Sequence, residues 1–236
     1  MNMLKKAKHI FVQDENSFRL CNQAGINNCS ISGDTRFDRV MAIASDPKQF
    51  PEIAKFCSGK KIFIAGSTWP EDEKLLIELI HQSDESWKFI VAPHEISESH
   101  IHHLISGIMK KTERYSKLNN IENDVLIIDN IGMLSSIYQY GSIAYVGGGL
   151  GRGLHNILEP AAYGLPVIFG NKTDKNPEAK AMIQNGTGFA VSSVKELKNV
   201  FDKLNDDQAL SELKNVQKIF IAKHAGAVKA ILNYLL

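Results

Sequence analysis

The chain has 236 residues, 44% of them hydrophobic and 22% charged, a globular composition with enough apolar material for a substantial core. Its formal net charge of +1 supplies no bulk field that argues for nucleic acid or an acidic partner. No run of about 18 apolar residues is present to span a membrane, and the start, MNMLKKAKHIFVQ, lacks the apolar core of a signal peptide.

In chain order, short β-rich runs alternate with helical patterns. HIFVQ (9–13), a helix over ENSFRLCNQAG (15–25) and CSISG (29–33) come first. They read either as the first β-α-β of the main sheet or as the tail of a preceding domain. GDTRFDRV then leads away. The strands expected next are KIFIAG (61–66), KFIVAP (88–93), VLIID (125–129), IAYVGG (143–148), PVIFG (166–170) and GFAVS (188–192). Several are continuous apolar runs, as strands covered on both faces are. Between them lie helices over 71–82, 96–110, 133–140, 156–164, 177–186 and 195–205. Pro70 and an acidic first turn suit the start of the first of these. A long amphipathic helix with a break at Gly226 closes the chain. This alternation predicts a doubly wound, Rossmann-like α/β fold with a parallel sheet. Cys21, Cys29 and Cys57 fit neither a zinc pattern nor a disulfide framework and read as reduced, packed thiols of a cytosolic protein.

Ligands of open α/β sheets bind beyond the carboxyl ends of the strands, so the strand ends are the places to look. After 61–66 comes Ser67-Thr68. Their first reading is a helix cap; the other sets Ser67 before an anion at a helix start. After 88–93 comes His94-Glu95, where His94 could meet a phosphate or carboxylate. His100, His102 and His103 share a helix; a solvated or half-buried face is expected there, not a metal site. After 125–129 come Asn130 and Gly132 at a helix start, with Met133 either under a flat base or in the core. After 143–148 come Gly147, Gly148, Gly149, Gly151 and Gly153, which permit positive φ and close backbone approach. The helix after them is expected to begin near His155-Asn156, with its positive end toward the loop and Glu159 placed for a ribose diol. Pro160 is tolerated in a first turn. The cluster is neither the dinucleotide GxGxxG nor a P-loop. It suits a nucleotide-activated ligand.

The stretch GGGLGRGLHNILEPAAYGLPVIFG (147–170) resembles the signature of the bacterial 3-deoxy-D-manno-octulosonic acid (Kdo) transferases. IDNIGMLSSIYQYGSIAYVGGG, IFIAGSTWPEDEKLL and ISGDTRFDRV resemble neighbouring segments of the same family, and the likeness runs from about residue 8 to the last helix. It implies the C-terminal domain of a GT-B glycosyltransferase, inverting by direct displacement and using no cofactor or obligatory metal, with CMP-Kdo as donor. It implies donor contacts at Ser67, Pro93, His94, Gly132, Met133, Leu134, Gly148, Gly149, Asn156, Ile157, Leu158 and Glu159. The family usually has Arg where this chain has His94, a weaker and pH-dependent anion partner.

On this resemblance, residues 1–34 are expected to be the tail of an N-terminal acceptor domain and 35–236 the CMP-sugar donor domain. The catalytic carboxylate is expected in the other domain, so this chain alone is expected to be inactive. The full protein is expected to take a lipid A precursor and to associate peripherally with the cytoplasmic face of the bacterial inner membrane. The alternatives are a UDP-sugar epimerase or transferase of similar architecture, and a non-catalytic nucleotide-binding module. An uncovered last helix, or residues 1–33, predicts self-association.

Overall fold

The structure is a computed structural model and describes residues 3–236. Met1 and Asn2, on which part of the reading of the chain start rests, lie outside the described residues. After a 3-10 turn, β1 (Ile10–Val12), α1 (Glu15–Gln23) and β2 (Cys29–Ile31) form a β-α-β unit. β1 and β2 pair in parallel as a two-stranded sheet of their own. Of the two readings open for this segment, membership of the main sheet is therefore excluded. Two helices that the sequence reading passed over follow: α2 (Thr35–Ser45) and α3 (Pro51–Cys57). Asp34 caps α2, its carboxylate accepting from Arg36 N–H at 2.9 Å, and Pro51 opens α3.

The main body then alternates β3 (Lys61–Thr68), α4 (Pro70–Gln82), β4 (Trp87–Pro93), α5 (Glu98–Gly107), β5 (Thr112–Arg114), β6 (Val125–Ile127), α6 (Leu134–Ile137), β7 (Ile143–Val146), α7 (Leu158–Ala162), β8 (Val167–Gly170), α8 (Pro177–Gln184), β9 (Gly188–Val191) and α9 (Val194–Lys203). α10 (Asp207–His224) and α11 (Ala227–Leu235) close it. The seven strands pair in the order β5-β6-β4-β3-β7-β8-β9, all parallel. This is the expected doubly wound sheet.

The two-residue period of a strand explains the continuous apolar runs. Phe63, Ala65, Phe89, Val91, Val125, Ile127 and Tyr145 point to one face, against Leu76 and Leu79 of α4, Leu104 of α5 and Phe201 of α9. Ile62, Ile64, Ile90, Leu126 and Ala144 point to the other, against Ile53 and Phe56 of α3 and Ile137 of α6. Val167 and Phe169 of β8 continue that second face against α2, α7, α8 and α10. The Val, Leu, Ile and Phe side chains among them, fully buried, contribute about 1.5–3 kcal/mol each. A strand with one polar face could not sit between these two layers.

β5 was not expected from the sequence. Thr-Glu-Arg has no apolar pattern, and only pairing with β6 at the sheet edge makes it a strand. The helix expected over 133–140 is four residues of α6 followed by a 3-10 turn at Tyr138–Tyr140. The predicted break at Gly226 is present: its φ of +114° is left-handed backbone suited to glycine, and its N–H donates to Asp38 at 2.9 Å. α11 then reaches back to the small sheet, where Tyr234 stacks on His9 at 4.4 Å and sits edge-on to Phe11 at 5.3 Å. Among the described residues, no helix is long and apolar enough to cross a membrane.

Candidate functional site

The strand order marks the place. From β3 the chain runs outward through β4 to β6 and β5, then returns to the other side of β3 as β7. The sheet reverses between β3 and β7, and a crevice opens at the carboxyl ends of such a pair. The two loops that meet there are Ser67–Trp69 and Gly147–Ile157.

The β3 end is bent. Gly66 pairs with Ala92 and Thr68 with Pro93, leaving Ser67 as a bulge with a φ of +53°. A non-glycine residue held in that region costs about 1–3 kcal/mol and persists only where its surroundings enforce it. Two backbone hydrogen bonds hold it there. His94 N–H donates to Thr68 O at 2.9 Å, and Gly147 N–H donates to Gly66 O at 2.9 Å. The expected cap by Ser67 or Thr68 is not made. The residue before α4 is Trp69, whose N–H donates to Asp72 at 2.9 Å. The Thr68 hydroxyl instead donates to the Glu73 carboxylate, in the first turn of α4, at 3.0 Å.

Asp72 is the hub of the crevice and is fully buried. Besides the Trp69 amide, it accepts from the Gly148 amide at 2.9 Å and the Tyr145 hydroxyl at 2.7 Å. Burial, then the Asp72 charge, raise the Tyr145 phenol far above its ordinary value, so it stays a donor. One carboxylate thus ties β3, α4, β7 and the glycine loop together. Next to it, burial raises the carboxyl of Glu73, opposed by His100 and the Thr68 hydroxyl. His100 Nε2 lies 3.0 Å from that carboxylate, a partner supplied by another helix and not visible in the HxHH spacing. His102 and His103 are exposed. Among the described residues, no group of three His, Cys, Asp or Glu side chains could hold a metal ion.

The glycine loop is packed, not open. Gly148 has a φ of +87°. Gly149 lies so close to β8 that an added Cβ would sit 2.7 Å from Gly170 N. The loop also satisfies its own backbone: Gly151 and Gly153 N–H donate to Gly148 O at 3.1 and 2.9 Å, and His155 N–H to Gly147 O at 3.2 Å. These amides are therefore not available to a phosphate. The helix expected from His155 begins only at Leu158. The Asn156 side chain accepts from Leu158 N–H at 3.2 Å, which holds residues 155–157 as loop. A five-residue helix also has little macrodipole to offer. Glu159 is half-buried, and Asn156 Nδ2 donates to its carboxylate at 3.2 Å. Burial pushes its carboxyl up, against the Asn156 bond and the charge of Arg39. The Tyr163 phenol is pushed up to about 12, by burial first and then by the Glu159 carboxylate.

Three aromatic rings roof the crevice. Trp69 stacks on His94 at 4.4 Å, and His94 on His155 at 4.7 Å. Trp69 Nε1–H donates to His155 Nε2 at 3.1 Å; because indole is donor only, this ring nitrogen is the acceptor and the proton sits on Nδ1. Burial, then the neighbouring His94, lower the His155 pKa, while Asp72 works in the opposite sense. The Arg152 guanidinium lies 5.1 Å over the Trp69 ring.

Of the residues expected at the site, Ser67, Pro93, His94, Gly148 and Gly149 meet at the ends of β3, β4 and β7, and His155 links them to Asn156–Glu159. Leu134 joins them by packing against Gly66. Gly132 is exposed, and the Met133 side chain packs in the core at 8% exposed. Ile157 and Leu158 are buried side chains that position the loop from beneath. Trp69, Asp72 and Arg152 carry the site yet were given no place in it from sequence. Their partners come from other strand ends, and no local spacing announces them.

Comparison with known proteins follows this geometry. No protein-family model matches the chain. The 3-deoxy-D-manno-octulosonic acid transferase of Rickettsia bellii is 26% identical over 223 residues, covering 92% of this chain and 53% of that protein. The chain spans about half the length of the curated relatives it matches. Among solved structures, the C-terminal CMP-Kdo binding domain of WaaA from Acinetobacter baumannii superposes with a TM-score of 0.64 at 19% identity, over 78% of this chain and 98% of that one. The UDP-GlcNAc 2-epimerase of Neisseria meningitidis gives 0.66 at 16% identity, over 97% of this chain and 61% of that one. The structural likenesses show a shared Rossmann-like fold. The sequence likeness upholds the resemblance to the Kdo transferases over most of the chain, at low identity, and a bifunctional glycosyltransferase/methyltransferase of Fusobacterium nucleatum is 27% identical over 221 residues, 89% of this chain and 34% of that protein.

Proposed function

We propose that the chain is the donor-binding half of an inverting glycosyltransferase that moves Kdo from CMP-Kdo to a lipid A precursor in lipopolysaccharide synthesis. Residues 35–236 hold the donor, and residues 1–34 belong with the acceptor half. In the full protein, a carboxylate of that half deprotonates the acceptor hydroxyl. The hydroxyl oxygen bonds to the anomeric carbon of Kdo as the bond to the CMP phosphate breaks, and CMP leaves with the electron pair. Without that half the chain binds donor and does not transfer. The full protein works as a peripheral protein on the cytoplasmic face of the inner membrane.

The carrying observation is the Glu159 carboxylate, half-buried and oriented by Asn156 beside the loop at the sheet's reversal. It has acceptor capacity left for a ribose diol. The leaving phosphate then lies toward His94 and Arg152. With several loop amides already engaged, these side chains carry more of the charge stabilisation than helix-end N–H groups do.

The test is thermal melting with CMP, UMP and UDP. CMP at about 100 times its Kd adds about 2.7 kcal/mol, a rise of about 5–10 °C for a chain of this size. Glu159→Ala removes two charge-assisted hydrogen bonds and weakens CMP by tenfold or more. Equal or greater stabilisation by UDP, or full CMP affinity in Glu159→Ala, overturns the reading. UDP preference returns the chain to the epimerase-like alternative.

A further inference from the structure

The outer half of the glycine loop and the loop after β8 enclose a depression of about 450 Å³ on the same edge of the sheet. Arg152, Lys172 and Lys175 line it, against the single carboxylate of Asp174. No ion pair among the described residues involves Lys172 or Lys175, and Arg152 meets only Glu71, at 4.0 Å. An exposed pair at that distance neutralises little.

Lysines on a surface loop ordinarily extend into water. Here Lys172 is exposed but lies along the glycine loop. Its Nζ lies 3.6 Å from where a Cβ on Gly151 would sit, so the ammonium rests on the glycine loop. Its backbone N–H donates to Gly149 O at 2.9 Å, and Gly149 is packed onto Gly170 of β8. The two loops are therefore tied together beside β8, and three cations line one depression. Gathering like charges in a concave place costs free energy that an anion recovers on binding. Arg152 connects the depression to the Trp69 ring of the crevice.

We infer that this depression is a second anion site, built for a phosphate-type dianion and separate from Gly148, Gly149 and Asn156–Glu159. The group arrives either on a soluble molecule or on a lipid headgroup. Of the lining residues only Arg152 is shared with the CMP reading, and the inference rests on Lys172 and Lys175, which that reading does not use.

The experiment is an NMR titration of the full chain with inorganic phosphate, run without CMP and with CMP at saturation. Saturable shifts at Gly151–Leu154 and Lys172–Asn176 that survive CMP are expected. The double variant K172A/K175A weakens phosphate about tenfold or more, the loss of two charge-assisted contacts, while its melting temperature stays that of the parent. A second arm sediments the chain with phosphatidylcholine vesicles, with and without phosphatidic acid. Binding that needs phosphatidic acid and is lost in K172A/K175A identifies a headgroup. Phosphate binding without vesicle binding identifies a soluble ligand. Absence of saturable shifts, their loss when CMP is added, or undiminished affinity in K172A/K175A overturns the inference.

Discussion

His155 is the residue at which pH acts most directly on the crevice. Its ring accepts from Trp69 Nε1–H and stacks on His94, and its pKa is lowered, by burial first. The sign follows from linkage. Its folded pKa lies below the unfolded one of about 6.5, so its stabilisation is complete above that value and is lost as pH falls through the folded pKa. Protonation at Nε2 also removes the acceptor from Trp69. The Trp69 indole N–H resonance should therefore move in one step below about pH 6.5, together with a fall in melting temperature. His155→Gln should retain the fold and lose the step. A Trp69 signal unchanged down to acid unfolding would refute the assigned bond. His94 is exposed and central in the stack, between Trp69 and His155.

At the scale of elements, Asp72 decides whether the two halves of the crevice meet. Removing its carboxylate leaves the amides of Trp69 and Gly148 and the Tyr145 hydroxyl without their acceptor. Buried donors without partners cost about 1–3 kcal/mol each. Asp72→Ala should lower the unfolding free energy by about 3–5 kcal/mol, read from urea unfolding at constant m-value. Asp72→Asn can still accept on one oxygen and should lose less. A loss under about 1 kcal/mol in Asp72→Ala would mean that the glycine loop is held by its packing on Gly170 and not by this carboxylate. The same logic explains what was readable of the elements. β3, β4, β6, β7 and β8 were legible because both faces are buried, which leaves a continuous apolar run. β5 was not, since Thr112–Arg114 is a strand only through its neighbour. α2 carries a legible signal, Asp34 followed by Phe37 and Val40 at helical spacing, although no helix was expected over GDTRFDRV.

The whole molecule presents an unmatched apolar edge. On α10 and α11, Ile219, Leu232 and Leu235 are exposed, and a groove between α2 and α11 is lined by Ala42, Val228, Leu232 and Leu236. Apolar surface gathered in this way marks a contact face. The chain should self-associate through it in a concentration-dependent way. Light scattering checks this, and Leu232→Lys with Leu235→Lys should restore a monomer. A monodisperse monomer of the parent at high concentration would remove the expectation. α11 is already partly occupied, since Tyr234 stacks on β1; the face left over is the one turned away from the small sheet.

Sequence by itself determined the layered parallel sheet, the break at Gly226, and the neighbourhood of the site. Burial on two faces, helix starts and glycine demands are local properties of the chain. Tertiary structure alone decided which groups do what in the crevice. It set Trp69, His94 and His155 in one stack, took several loop amides out of use, moved the start of α7 to Leu158, and brought Lys172 over the glycine loop. Each of those depends on residues carried by different strand ends. Only the register of β3 against β4 and β7, and of β7 against β8, sets their separation, and no spacing along the chain encodes it.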